Sequence, residues 1–95
     1  MTTQSITARA VNLLSRREHS QAELRTKLLK AEFELQDINS TIEKLTEADI
    51  QSDARFAENY LRYRSQRGYG SQKIRLELKE RGVNTDTINT AFEQA

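Results

Sequence analysis

Apolar residues fall along this chain in short stripes of helical period, separated by brief polar turns. Ile6, Ala10, Leu13 and Leu14 stand at i, i+4, i+7 and i+8 and predict a helix from near Ser5 to near Glu18. Ser20 with Glu23 then has the sequence of a capping box, in which hydroxyl and carboxylate each satisfy an amide at a helix start. Leu24, Leu28 and Ala31 continue from it as a second stripe. His19 and Leu24 occupy the positions of a hydrophobic staple around that cap. A third helix is expected from about Gln36 to Thr46, turning Ile38, Ile42 and Leu45 inward.

Adding fifty to each number reproduces the pattern without a gap: Ile6 maps to Phe56, Ala10 to Tyr60, Leu13 to Tyr63, Leu24 to Ile74, Leu28 to Leu78, Phe33 to Val83, Ile38 to Ile88 and Ile42 to Phe92. Arg17 and Arg67, Arg25 and Arg75, Asn39 and Asn89, and Glu43 and Glu93 are identical pairs. Such a period suits helical repeats, in which each unit buries part of its face against a neighbour. The expected fold is therefore all-α, with two tandem three-helix repeats over residues 1–48 and 49–95. In the second copy Tyr69 takes the staple position opposite Ile74, and Gly70 replaces Ser20 at the cap. Gly68 suits the end of the preceding helix, and Gly82 the left-handed position after the fifth.

Composition agrees with helices. The sequence has 95 residues, 31% of them charged, no proline and only three glycines, which leaves it without the turn punctuation of an all-β chain. Cysteine is absent, which removes disulfides, thiolate zinc sites and thiol nucleophiles and fits a reducing compartment. No run of residues is apolar enough to span a membrane, and the opening Met1-Thr2-Thr3-Gln4-Ser5 lacks the basic start of a secretory signal. A cytoplasmic monomer is the expectation.

The net charge of +1 hides a sorting of charge into blocks. Residues 8–30 carry a net +4, residues 31–53 a net −6, residues 54–81 a net +5 and residues 82–95 a net −2. Chemistry of the enzymatic kind has little to stand on. With one histidine and no cysteine, hydrolytic triads and zinc motifs are close to excluded, and Gly68-Tyr69-Gly70 lacks the strand and further glycine of a nucleotide-binding loop. Glu43 and Glu47, one helical turn apart, read as a solvated acidic face. No catalytic residue, metal or cofactor is expected.

Binding is the remaining class, and the repeat supplies an internal control: a residue kept in both copies serves the unit, and one that differs is free to serve a task. Arg17, Arg25, Arg67 and Arg75 recur and are read as structural, the first and third closing helices where a cation offsets the helix dipole. Arg55, Arg62, Arg64, Lys73, Lys79 and Arg81 occur only in the second copy, opposite Ser5, Asn12, Leu14, Glu23, Leu29 and Ala31. Two readings stand for them: a surface for a polyanion or acidic protein, or a solvated basic face. Tyr60 and Tyr63 are expected in the core, and Tyr69 is the aromatic expected at the surface beside the basic set.

At this point the residues resemble the RecX family, bacterial regulators of the RecA recombinase. In the first unit the resemblance rests on Leu14-Ser15-Arg16-Arg17-Glu18-His19-Ser20, Glu23-Leu24-Arg25 and Lys27-Leu28. In the second it rests on Asp53, Arg55-Phe56-Ala57, Arg67-Gly68-Tyr69-Gly70, Ile74-Arg75, Glu77-Leu78 and Gly82. The resemblance implies a non-enzymatic protein that lies in the groove of the RecA filament on DNA and restrains ATP hydrolysis and strand exchange. It also implies that these two units are the first two of the usual three. Weak direct DNA binding is expected to accompany the filament contact. Glu32 and Asp49 stand where the family often has glycine, so those two turns are expected to differ in shape. An autonomous helix-turn-helix-like DNA-binding module, with Lys73 and Arg75 near the groove, is the alternative reading.

Overall fold

Six helices account for nearly all of the computed structural model, which describes residues 4–95: α1 Ile6–Arg16, α2 Gln21–Lys30, α3 Leu35–Glu47, α4 Asp53–Gln66, α5 Ser71–Glu80 and α6 Thr85–Gln94. Among the described residues there is no strand. The start of the first unit at Met1, and the leader reading of Met1-Thr2-Thr3, lie outside the described residues. Helices α1 to α3 form one three-helix unit and α4 to α6 the next, and the molecule is elongated, 45 × 24 × 19 Å.

Each unit closes its own core. Ala10, Leu24, Leu28, Ile38, Ile42 and Leu45 meet in the first, with Ile6, Leu13, Leu14 and Phe33 packed around them. In the second, Phe56, Ala57, Leu61, Ile74, Leu78, Val83, Ile88 and Ala91 meet, with Tyr60 and Phe92 at the margin. Truncating any one of the fully buried leucines to alanine costs about 2–5 kcal/mol. That is a large share of the roughly 5–15 kcal/mol that holds a domain folded.

The tyrosines depart from the expected pattern. Both were expected in the core, but Tyr60 is half-buried at its margin and Tyr63 is 54% exposed. The inward stripe of α4 runs Phe56, Ala57, Tyr60 and Leu61, whereas that of α1 runs Ile6, Ala10, Leu13 and Leu14. Leu61, whose counterpart Val11 is exposed, fills the inward position and leaves Tyr63 outside.

Helix ends follow local chemistry. Ser5, Ser20, Ser52 and Asn84 accept bonds from amides in the first turns of α1, α2, α4 and α6, and Ser20 with Glu23 completes the expected capping box. Gly70 caps α5 without a side chain. Four helices end in a left-handed residue: Glu32 (φ 70°), Asp49 (φ 60°), Gly68 (φ 90°) and Gly82 (φ 83°). The same two bonds close both turns, Glu32 N to Leu29 O with Phe33 N to Leu28 O, and Gly82 N to Lys79 O with Val83 N to Leu78 O. The expected difference in shape at Glu32 is therefore absent: the two equivalent turns adopt one geometry, and the carboxylate residue bears the steric cost that glycine avoids. Helix α1 ends differently. It stops at Arg16 rather than near Glu18, because Arg17 is fully extended (φ −167°, ψ 166°).

Candidate functional site

The two units meet at a polar seam. Ser20 Oγ, while accepting from the Glu23 amide, donates to the Arg81 carbonyl at 2.7 Å. Asp53, in the first turn of α4, accepts from the Gln21 amide at the start of α2 (2.9 Å) and from Gln51 Nε2 (2.8 Å). Gln51 is 1% exposed and fully engaged, donating also to the His19 carbonyl and accepting from Thr46 Oγ1. Arg55 closes the outer side, donating to Glu18 Oε2 at 2.8 Å and to the Asp49 carboxylate and carbonyl. The Glu18 hydrogen bond holds the Arg55 guanidinium above its ordinary pKa. Gly82, itself exposed, lies so close to Ala22 that a Cβ on it would fall 2.4 Å from the Ala22 Cβ.

His19, read as a staple, is buried here and hydrogen-bonded at both nitrogens. The Arg17 carbonyl 3.0 Å from Nδ1 only accepts, so Nδ1 carries the proton and Nε2 accepts from the Lys27 ammonium at 3.0 Å. Burial lowers its pKa below 6.5, and the Arg17 and Lys27 charges act in the same direction.

The seven residues singled out as a contact surface divide into those tied within the chain and those facing solvent. Arg64 lies on the inward side of α4, forming a two-pronged pair with Glu77 at 2.8 and 2.9 Å. Tyr60 donates its hydroxyl to the same carboxylate. Hydrogen bonding from Arg64 holds Glu77 below the usual carboxylate range, while burial, then the Glu77 bond, raises Tyr60. Arg81 crosses the Tyr60 ring at 4.7 Å and donates to the Glu77 carbonyl. Arg55 belongs to the seam. Tyr69 gathers two of the set, Arg64 at 3.7 Å and Lys73 at 5.2 Å from its ring centre. Arg62 is exposed, with the Asn59 side chain as its hydrogen-bond partner among the described residues, and Lys79 meets the Thr85 hydroxyl. Arg62, Lys73 and Lys79 have no carboxylate partner among the described residues.

The recurring arginines repeat their contacts in part. Arg25 donates to Asn39 Oδ1 at 2.9 Å and Arg75 to Asn89 Oδ1 at 2.7 Å, the same tie between second and third helices in both units. Arg75 also covers the Phe92 ring at 4.1 Å, which turns it toward α6. Arg17 and Arg67 diverge: Arg17 pairs with Glu23 at 3.0 Å, and Arg67 lies 5.3 Å from the Tyr63 ring centre. Glu43 and Glu47 are exposed, and no group of three or more potential metal ligands occurs among the described residues. Sequence reasoning missed Gln51, and it named Asp53 and Glu77 only for the family resemblance, without assigning either a contact. Subtracting acids as well as bases between the copies would have found Glu77, which stands opposite Lys27.

Two family models match the chain in order. The first three-helix domain of RecX matches residues 8–45, and the second three-helix domain of RecX matches residues 52–91. The chain belongs to the RecX family. Similar proteins bear the name regulatory protein RecX. One from Mannheimia succiniciproducens is 48% identical over 84 residues, covering 87% of this chain and 55% of that protein. One from Haemophilus influenzae is 46% identical over 86 residues, covering 90% and 57%. One from Chromohalobacter salexigens is 43% identical over 95 residues, covering 98% and 62%. The chain thus spans little more than half the length of these RecX relatives. No helix among the described residues is long and apolar enough to cross a membrane.

Proposed function

We propose that this chain is a non-enzymatic regulator that binds the RecA filament on DNA and inhibits its ATPase and strand exchange, and with them recombination in DNA repair. The observation that carries the reading is the ordered match of both units to the first and second RecX domains. It acts in the cytoplasm as a monomer, and its second unit supplies the main basic contact surface. Arg62, Lys73 and Lys79 are its direct contacts, because each ammonium or guanidinium is free of a carboxylate partner among the described residues. Tyr69 holds Lys73 over its ring and Arg64 is held by Glu77, while Arg55 and Arg81 act by fixing the second unit against the first through Glu18 and Glu23. Exposed cations of this kind meet phosphates and acidic protein surfaces alike and give binding that weakens with salt.

The test is RecA's DNA-dependent ATPase with the wild-type chain and with a variant carrying Arg62→Glu, Lys73→Glu and Lys79→Glu. Inhibition should be lost while circular dichroism shows unchanged helix content, and reversal of Lys30 in the first unit should leave inhibition intact. Full inhibition by the folded triple variant overturns the assignment. Fluorescence anisotropy without RecA should show weak, steeply salt-dependent binding to duplex and single-stranded DNA. Tight, sequence-selective duplex binding favours the autonomous module instead.

A further inference from the structure

Helix α5 buries Ile74 and Leu78 in the second core, and Leu76 lies midway between them in sequence. A step of two residues turns a helix by about 200°, so Leu76 points away from both. It is 61% exposed, more than any other large apolar side chain among the described residues. The core of its own unit gains nothing from it.

Helix geometry sets its neighbours on this outward face. Lys73 and Lys79 stand three residues before and after it, close to one turn on either side, and neither ammonium meets a carboxylate among the described residues. Lys73 is held at the start of the helix, 5.2 Å from the centre of the Tyr69 ring. Glu80, four residues beyond Leu76, is the one acid on the face. In the first unit the places of Lys73, Leu76 and Lys79 are taken by Glu23, Thr26 and Leu29, and Glu23 is engaged with Arg17 and the Ser20 amide. A leucine between two cations without carboxylate partners therefore belongs to the second unit alone.

The leucine and the acid decide what can cover this face. A nucleic-acid strand offers phosphates to the two lysines, but it leaves Leu76 in water and sets like charge against Glu80. A protein surface with an apolar pocket takes Leu76 out of water, and carboxylates at the border of the pocket reach Lys73 and Lys79. Because α5 is already folded on its core, docking orders no new backbone. Its anchors also have the spacing of a helix laid into a groove.

We propose that α5 docks through Leu76 into an apolar pocket bordered by carboxylates on the protein of the RecA filament, and not on its DNA. This rests on the function proposed above and divides its basic surface, giving Lys73 and Lys79 to protein. The test measures the anisotropy of the full chain, labelled at its N-terminus, with RecA filaments on single-stranded DNA and with the same DNA alone. Leu76→Ser should weaken filament binding roughly tenfold or more, with helix content unchanged and the weak binding to DNA alone unaltered. Leu76→Met, which keeps the apolar bulk, should restore most of the affinity, and Leu29→Ser in the first unit should have no effect. Filament binding by Leu76→Ser as tight as that of the wild type overturns the inference and leaves the regulator reading standing. Equal loss of filament and DNA binding in Leu76→Ser assigns the face to nucleic acid and overturns it as well. A wild-type chain that does not bind the filament at all removes the regulator reading, and this inference with it.

Discussion

The turn from α1 to α2 and the turn from α4 to α5 occupy equivalent positions in the repeat, yet they have opposite surroundings. In the first, His19 and Ser20 are buried, and Glu18 and Ser20 reach across to the second unit. In the second, Gly68, Tyr69 and Gly70 are exposed. Core positions kept their apolar character in both copies because both cores need it. Turn positions diverged according to what lies against them. A difference between copies therefore marks a neighbour as readily as it marks a ligand, and Arg55, unique to the second copy, is a seam residue.

The contrast can be broken most severely at Gly82. Gly82→Ala should cost about 3 kcal/mol or more, from a strained positive φ plus the clash with Ala22. Gly68→Ala, with open space around it, should cost only about 1–2 kcal/mol. Urea denaturation of both variants checks the difference, and adding Ala22→Gly to Gly82→Ala should recover only the steric part. Ser20→Ala should cost about 1–2 kcal/mol, because it removes a cap and leaves the Arg81 carbonyl short of a donor. The matching gain, Gly70→Ser, should change stability by only a few tenths of a kcal/mol. Glu32→Gly should stabilise by about 1 kcal/mol by relieving the left-handed strain that Gly82 does not have.

The smallest effect is with pH. The His19 pKa is lowered in the folded chain, so the unfolded chain takes up the proton first as pH drops through 6.5. Stability from the buried neutral ring is thus complete above that value and is lost as pH falls through the folded pKa. The Arg17 carbonyl and Glu23 favour the charged ring, and the Arg17 and Lys27 charges oppose it. Comparing urea midpoints at pH of about 7.5 and 5.5 should show the loss, and His19→Gln should reduce it.

Much of this fold was legible from period and caps alone. The stripes placed all six helices, the fifty-residue offset paired the cores, and Ser20 with Glu23 marked a cap that is present. Tyr63 was misplaced because its assignment came from α1 by equivalence, whereas Leu61 takes the inward position in α4. The candidate surface was less legible. Composition shows that a charge exists but not its partner, so Arg64 looked as free as Arg62 until Glu77 was found opposite it. Gln51 gave no signal, and Asp53 stood out only in the family resemblance, since both act through backbone groups of the neighbouring unit, far away in sequence.

The seam also has a direction. Its first-unit side carries Glu18, Ser20 and Ala22, and its second-unit side carries Arg55, the Arg81 carbonyl and Gly82. At the places of Glu18, Ser20 and Ala22 the second unit has Gly68, Gly70 and Gln72, so another copy of itself would find neither the acid, nor the hydroxyl, nor the room. The two units are consequently not interchangeable tiles. Their order along the chain is encoded in the joint, and a permuted protein with the second unit placed first would keep both cores and lose the lock between them.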